Sequence, residues 1–179
     1  MTTHWATTVE ANHTVLWQGI GALRHWGTAL FRLSGPGGRP TSVGPHFRHI
    51  IDHYRCWFRG VEGGRVDYDA RDRDPLLERD PGCSADAMTQ LAIALRALAP
   101  DLDSRSLLVH TAAVPGEDPA PAWTGSTVER ELHFLLSHTV HHYALISLMA
   151  RHGGIELGEE FGVAASTLAY WRRNPACAR

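Results

Sequence analysis

The chain is poor in cysteine. Three in 179 residues, Cys56, Cys83 and Cys177, are odd in number and widely spaced, with no CxxC pair. No disulfide framework fits them, and a reducing cytoplasm is the expected setting. Excess charge is also lacking. A formal net charge of −2 and the absence of a basic stripe give no electrostatic reason to expect nucleic acid or an anionic membrane as partner. The start, MTTHWATTVEANH, has neither the basic end nor the apolar run of a signal peptide. The longest apolar stretch, 132–150, is interrupted by histidines and is not a membrane span. A hydrophobic content of 44% with 20% charged residues is that of an ordinary globular protein. The length suits a single domain over 1–179.

Histidine is what the chain has in excess. Of 12, seven lie in two short windows, 46–53 and 133–142, where even scattering would place about one. Around them the pattern is helical. Apolar residues at Val9, Leu16, Ile20, Leu23, Leu30 and Leu33 mark a first helix over 8–33, and SGPGGRP at 34–40 breaks it. A second helix is expected from Ser42, with Pro45 in its first turn, to Gly60. The charged stretch 65–82 has prolines at 75 and 81 and no sustained period, which predicts a long surface loop. A third helix follows over 84–99, with Ser84 as its N-cap. Residues 105–124 suggest a small β-hairpin. Ser126 and Glu129 have capping-box spacing for a fourth helix ending near 152, where Gly153–Gly154 stops it. Ser166 is expected to cap a short C-terminal helix closed by Asn174–Pro175. Four main helices with short connections predict an all-α four-helix bundle.

The helical wheel divides the histidines. With His138 at zero, Glu131 and Met149 fall at about 20°, His142 at about 40°, Leu135 at about 60° and Leu145 at about −20°, one stripe expected to face inward. His141 is on its flank and His133 faces away. On the second helix His49, His53 and His46 share a stripe, with Cys56 and Trp57 beside it and Asp52 on the flank. A lone inward histidine is usually a hydrogen-bonded core residue. Two HxxxH pairs on facing helices are different, because burying that many imidazoles unpaired would cost several kcal/mol. Imidazoles at i and i+4 can share one ion, with a further ligand from the facing helix. Such donors suit Zn, Fe, Ni or Cu rather than Mg or Ca, and three protein ligands leave positions open for chemistry. His46 and His141 are expected at the rim or as partners of ligands. His4, His13, His25, His110, His133 and His152 are expected in surface or packing roles.

The segments SVGPHFRHIIDHY (42–54) and RELHFLLSHTVHHYALI (130–146) together resemble the DinB-like superfamily of four-helix-bundle proteins, related to YfiT-type metal-dependent hydrolases. The start of the second helix is also similar to the DinB-type domain of ergothioneine-pathway sulfoxide synthases. The resemblance covers nearly the whole chain. It implies a metal triad of His49, His138 and His142, holding one divalent transition metal (Zn, Ni or Fe). It also implies a homodimer, and an activity of the thiol S-transferase or hydrolase type on a small-molecule substrate such as a low-molecular-weight thiol. Three roles stay open for His53: fourth ligand, general base, or hydrogen-bonding partner of a ligand. Glu131 is a candidate for orienting a ligand or serving as a base. A two-metal site is disfavoured, since Glu131 and Asp52 are too few carboxylates. Arg71 and Arg73 in the 65–82 loop belong either to a self-neutralising solvated surface or to a substrate-carboxylate anchor. Cys56 is expected as a wall residue. The alternative function is a non-catalytic metal-binding stress-response protein in which the ion stabilises the bundle.

Overall fold

A computed structural model describes residues 4–33, 43–99, 102, 105–111 and 122–174. Its four long helices are α1 (His4–Phe31), α2 (Val43–Val61), α4 (Pro81–Arg96) and α5 (Val128–His152), with two shorter ones, α3 (Leu76–Arg79) and α6 (Ala165–Arg173). No helix among the described residues is long and apolar enough to cross a membrane. α1 packs along α4 and α5, while α2 packs against α5 and α4, so the four form the expected bundle.

The hairpin is part of a larger element. β2 (Ser106–His110) pairs antiparallel with β3 (Trp123–Thr127), and β1 (Arg65–Asp67) pairs parallel with β2, giving the order β1-β2-β3. The 65–82 segment is therefore not a structureless loop: it holds β1, α3 and the start of α4. Between β1 and α3, Arg73 takes a left-handed backbone (φ 51°), unusual for a residue with a Cβ.

The first helix begins at His4 rather than at residue 8, and three of the expected N-caps move. Asp80, not Ser84, caps α4: its carboxylate accepts from the Gly82 and Cys83 amides at 2.7 and 3.0 Å, with Pro81 following as the first helical residue. Ser84 is buried within the helix and donates to the Leu77 carbonyl at 2.6 Å. Thr127, not Ser126, caps α5 by accepting from the Arg130 amide at 3.2 Å. Ser126 instead donates to Glu131 at 2.5 Å. Ser166 lies inside α6, whose N-cap Ala164 offers no side-chain bond. At the other end α5 stops as expected, with Gly153 as C-cap and Gly154 at φ 76°.

The core joins Leu16 and Ile20 of α1, Ile50, Tyr54 and Trp57 of α2, Met88 and Leu95 of α4, and Leu132, Leu135 and Ile146 of α5, all fully buried. At its centre Asn12 donates to the Thr8 and Leu132 carbonyls at 2.9 and 3.1 Å and accepts from the Tyr54 hydroxyl at 2.7 Å. That satisfied network fixes α1, α2 and α5 together. On α5 the fully core-facing arc runs through Val128, Leu132, Leu135, Thr139 and Ile146, centred about 90° around the helix from His138. The histidines therefore sit at the edge of the apolar arc, over the seam with α2. The same offset puts Leu145, expected inside, at 36% exposure.

Candidate metal centre

α2 and α5 bring five imidazoles to their seam. His46, His49 and His53 come from successive turns of α2, and His138 and His142 from successive turns of α5. Ring centroids are 4.3 Å apart for His49–His53 and for His53–His138, 4.9 Å for His49–His138, 4.7 Å for His49–His142 and 4.6 Å for His138–His142. Ring nitrogens of His49, His53 and His138 all lie within 4.8 Å of one another. His142 joins through a 3.1 Å Nε2–Nε2 contact with His138 and a 2.9 Å Nδ1–Nδ1 contact with His46.

The hydrogen bonds assign the protons. The Nδ1–H of His53 donates to the His49 carbonyl at 2.8 Å, because a carbonyl can only accept. The Nε2 lone pair of neutral His53 is thereby left bare. A backbone carbonyl holding the distal N–H is a common way of orienting a metal-ligating imidazole. Arg71 donates through Nη1 to His49 Nδ1 at 2.9 Å, so the single proton of a neutral His49 ring is on Nε2. His49 Nε2 and His142 Nε2 then both approach His138 Nε2, at 3.2 and 3.1 Å. Once His138 Nε2 accepts from His49, His142 Nε2 meets that nitrogen either with a second proton for the same lone pair or with a lone pair of its own. Crowding of this kind among convergent nitrogens fits a cation between them, and the all-imidazole donor set suits a borderline transition metal.

Burial keeps these rings neutral. Desolvation is the largest cause at each, followed at His49, His138 and His142 by neighbouring imidazoles. It pushes His49 down to about 2, His142 to about 3, and His53 and His138 to about 4. Unprotonated imidazole is the form that binds a metal.

Aromatic walls flank the cluster. Phe134 stacks on His138, 5.3 Å between centroids and 10° between planes, and Tyr68 stacks on His53 at 5.4 Å and 21°. Behind these rings is a cavity of about 270 Å³ that includes Ser126, Arg130 and Glu131. A second cavity, about 490 Å³ beside Trp17, Trp26 and Phe161, includes none of the five clustered histidines.

The candidates divide accordingly. His49 and His138 form a group with His53, their ring nitrogens all within 4.8 Å of one another, and His142 adjoins that group through its 3.1 Å contact with His138. Glu131, 3% exposed, accepts from Tyr68 at 3.0 Å and Ser126 at 2.5 Å and pairs with Arg130 at 3.3 Å; these bonds aim it at the sheet side of the cavity. Asp52 is buried beside Arg48, 3.7 Å away, and burial raises its pKa. Cys56 is buried against the Ala70 carbonyl and Arg59, its thiol pushed up by desolvation, as suits a wall residue. His133 and His141 are exposed. Phe134 and Tyr68 were not among the candidates. Phe134 was legible as the residue one turn before His138, whereas Tyr68 reaches the site only through β1.

A helical bundle that gathers an all-imidazole donor set at the seam of two helices defines a class of proteins compatible with a bound metal ion. The chain belongs to the DinB superfamily: the family model matches residues 11–146, which span most of α1 through most of α5 and include all five clustered histidines. No curated protein and no solved structure matches the chain.

Proposed function

We propose that the protein is a divalent-metal-dependent enzyme that activates a thiol or a water for transfer or hydrolysis on a small molecule. The observation that carries this is the convergence of neutral imidazole nitrogens at a half-buried seam. His49 and His138 would hold the ion in either arrangement, with His53, His142 or both completing the set. A divalent cation bound there lowers the pKa of a thiol or water it binds, giving a nucleophile at neutral pH. The protein's own groups do the rest. The His49 carbonyl holds the His53 ring by Nδ1–H and leaves its Nε2 lone pair free to ligate. His46 steadies His142 through Nδ1. The Phe134 and Tyr68 rings keep water from the flank of the site, which strengthens electrostatic effects within it. The adjoining cavity offers space for the substrate body, with low-molecular-weight thiols the first class to test.

Elemental analysis after metal-replete expression tests the site. Wild type is expected to hold about one transition-metal ion per chain, and His49→Ala and His138→Ala to hold little. His53→Ala and His142→Ala then identify the remaining ligands, since loss of a ligand lowers occupancy. Wild type without stoichiometric metal would end the proposal. A thiol panel with an electrophile, run beside hydrolysable esters and amides, separates transfer from hydrolysis.

A further inference from the structure

Arg71 approaches the cluster from the segment between β1 and α3 and donates to His49 Nδ1 at 2.9 Å. Its Nε is buried and has no hydrogen-bond partner. A buried guanidinium nitrogen without an acceptor is costly, and an imidazole is a weak neutral acceptor for the charge. The four aspartates that flank it in the segment have other partners. Asp67 accepts from the Asp69 and Ala70 amides, Asp72 pairs with Arg59 at 2.7 Å, Asp74 accepts from the Leu76 amide, and Asp69 is 3.6 Å from His110. Asp72 is thus neutralised from outside the segment by Arg59 of α2, and Arg71 is turned toward the histidines.

Metal binding sharpens the conflict. If His49 ligates through Nε2, its proton must reside on Nδ1, and Nδ1–H cannot accept from Arg71. The guanidinium then needs a new acceptor. The imidazole ligands bring no negative charge, so a divalent ion keeps its full charge beside a fixed arginine. A planar carboxylate matches both demands, because a guanidinium pairs with it in a two-point fork.

Resting on the metal-dependent function above, we propose that Arg71 is the anion anchor of the site and that the substrate or co-substrate bears a carboxylate. The arginine binds that group while the reacting atom approaches the metal position.

Co(II)-loaded protein, titrated with 3-mercaptopropionate or with propane-1-thiol, tests this through the sulfur-to-cobalt charge-transfer band. Wild type should bind the carboxylate-bearing thiol about tenfold or more tightly than the neutral one. In Arg71→Gln that advantage should fall to about twofold or less, and Arg71→Lys should keep part of it, the lysine charge lacking the fork. Equal affinities in wild type, or an advantage unchanged in Arg71→Gln as simple chelation by the thiol would give, overturn the proposal. Cobalt uptake is read before any thiol is added, so its failure counts against the metal site alone. In that event acetate is titrated into the metal-free protein while the His49 imidazole resonances are followed. A shift in wild type that Arg71→Gln abolishes supports the anchor, and no shift, or the same shift in both, overturns it.

Discussion

At the scale of single residues, the chemistry of the seam depends on keeping imidazoles neutral where they are packed face to edge. The sign of the pH dependence follows. In the unfolded chain these rings titrate near the ordinary imidazole value of 6.5, whereas burial holds them at about 4 or below in the fold. As pH falls below about 6.5 the unfolded chain takes up protons that the metal-free folded protein refuses, so stability declines from there down toward the folded values. Above that window the contribution is fully present. The urea midpoint of metal-free protein should therefore fall between pH 7.5 and pH 5, and the fall should be shallower in His138→Gln. A midpoint that stays flat, or a variant with the same slope as wild type, would show that the rings protonate freely in the fold. Much of this was legible from spacing: His49, His138 and His142 share inward-tending stripes, and they meet. The status of His53 was not, because it rests on a carbonyl one turn earlier, a backbone partner that no residue type announces. Arg71 was similarly ambiguous, since its direction depends on the fold of β1 and on the unusual backbone at Arg73.

At the scale of elements, the helices were legible and the N-caps of α4, α5 and α6 were not. Apolar periodicity reports the buried face, which begins inside the helix, while a cap depends on one side chain reaching one amide. Asp80–Pro81 has the composition of a loop yet opens α4 three residues before Ser84. Three-residue β1 is too short to leave a period. Close helix contacts give a sharper test of the packing. A Cβ on Gly44, in the first turn of α2, would lie 2.0 Å from the backbone oxygen of Glu78 in α3. Backbone cannot rotate away as a flexible side chain would. The Arg48–Glu78 ion pair, at 2.7 Å, ties the same two elements one turn further along. Gly44→Ala should cost about 1–3 kcal/mol through overpacking. Gly21, exposed in α1 with nothing within 4 Å of its Cβ position, is the control. Gly21→Ala should stabilise by roughly 0.5–1 kcal/mol through helix propensity and a less flexible unfolded chain. Denaturant midpoints of the two variants should move in opposite directions; a neutral Gly44→Ala would mean that α2 and α3 are not held this closely.

At the scale of the whole molecule, the question is whether the ion would support the fold or use it. The fully buried side chains of α1, α2, α4 and α5 meet around Asn12 and Tyr54, whereas His46, His49, His138 and His142 are only half-buried at the margin of that core. A bundle whose apolar interior closes without the cluster has no need of a metal staple, in contrast to small domains that unfold when their metal is removed. Chelation of metal-loaded protein should therefore abolish activity and leave the helical circular dichroism essentially unchanged. The thermal midpoint should still drop, because a ligand that binds only the folded state adds about 2.7 kcal/mol at a free concentration one hundred times its Kd. For a chain of this size that is a shift on the order of 5–11 °C, with the transition still cooperative. Loss of the cooperative transition on chelation would instead identify the ion as a structural staple, and full activity without metal would remove it from the chemistry. The two functions thus separate by one pair of measurements on the same sample, because the imidazoles lie beside the core and not within it.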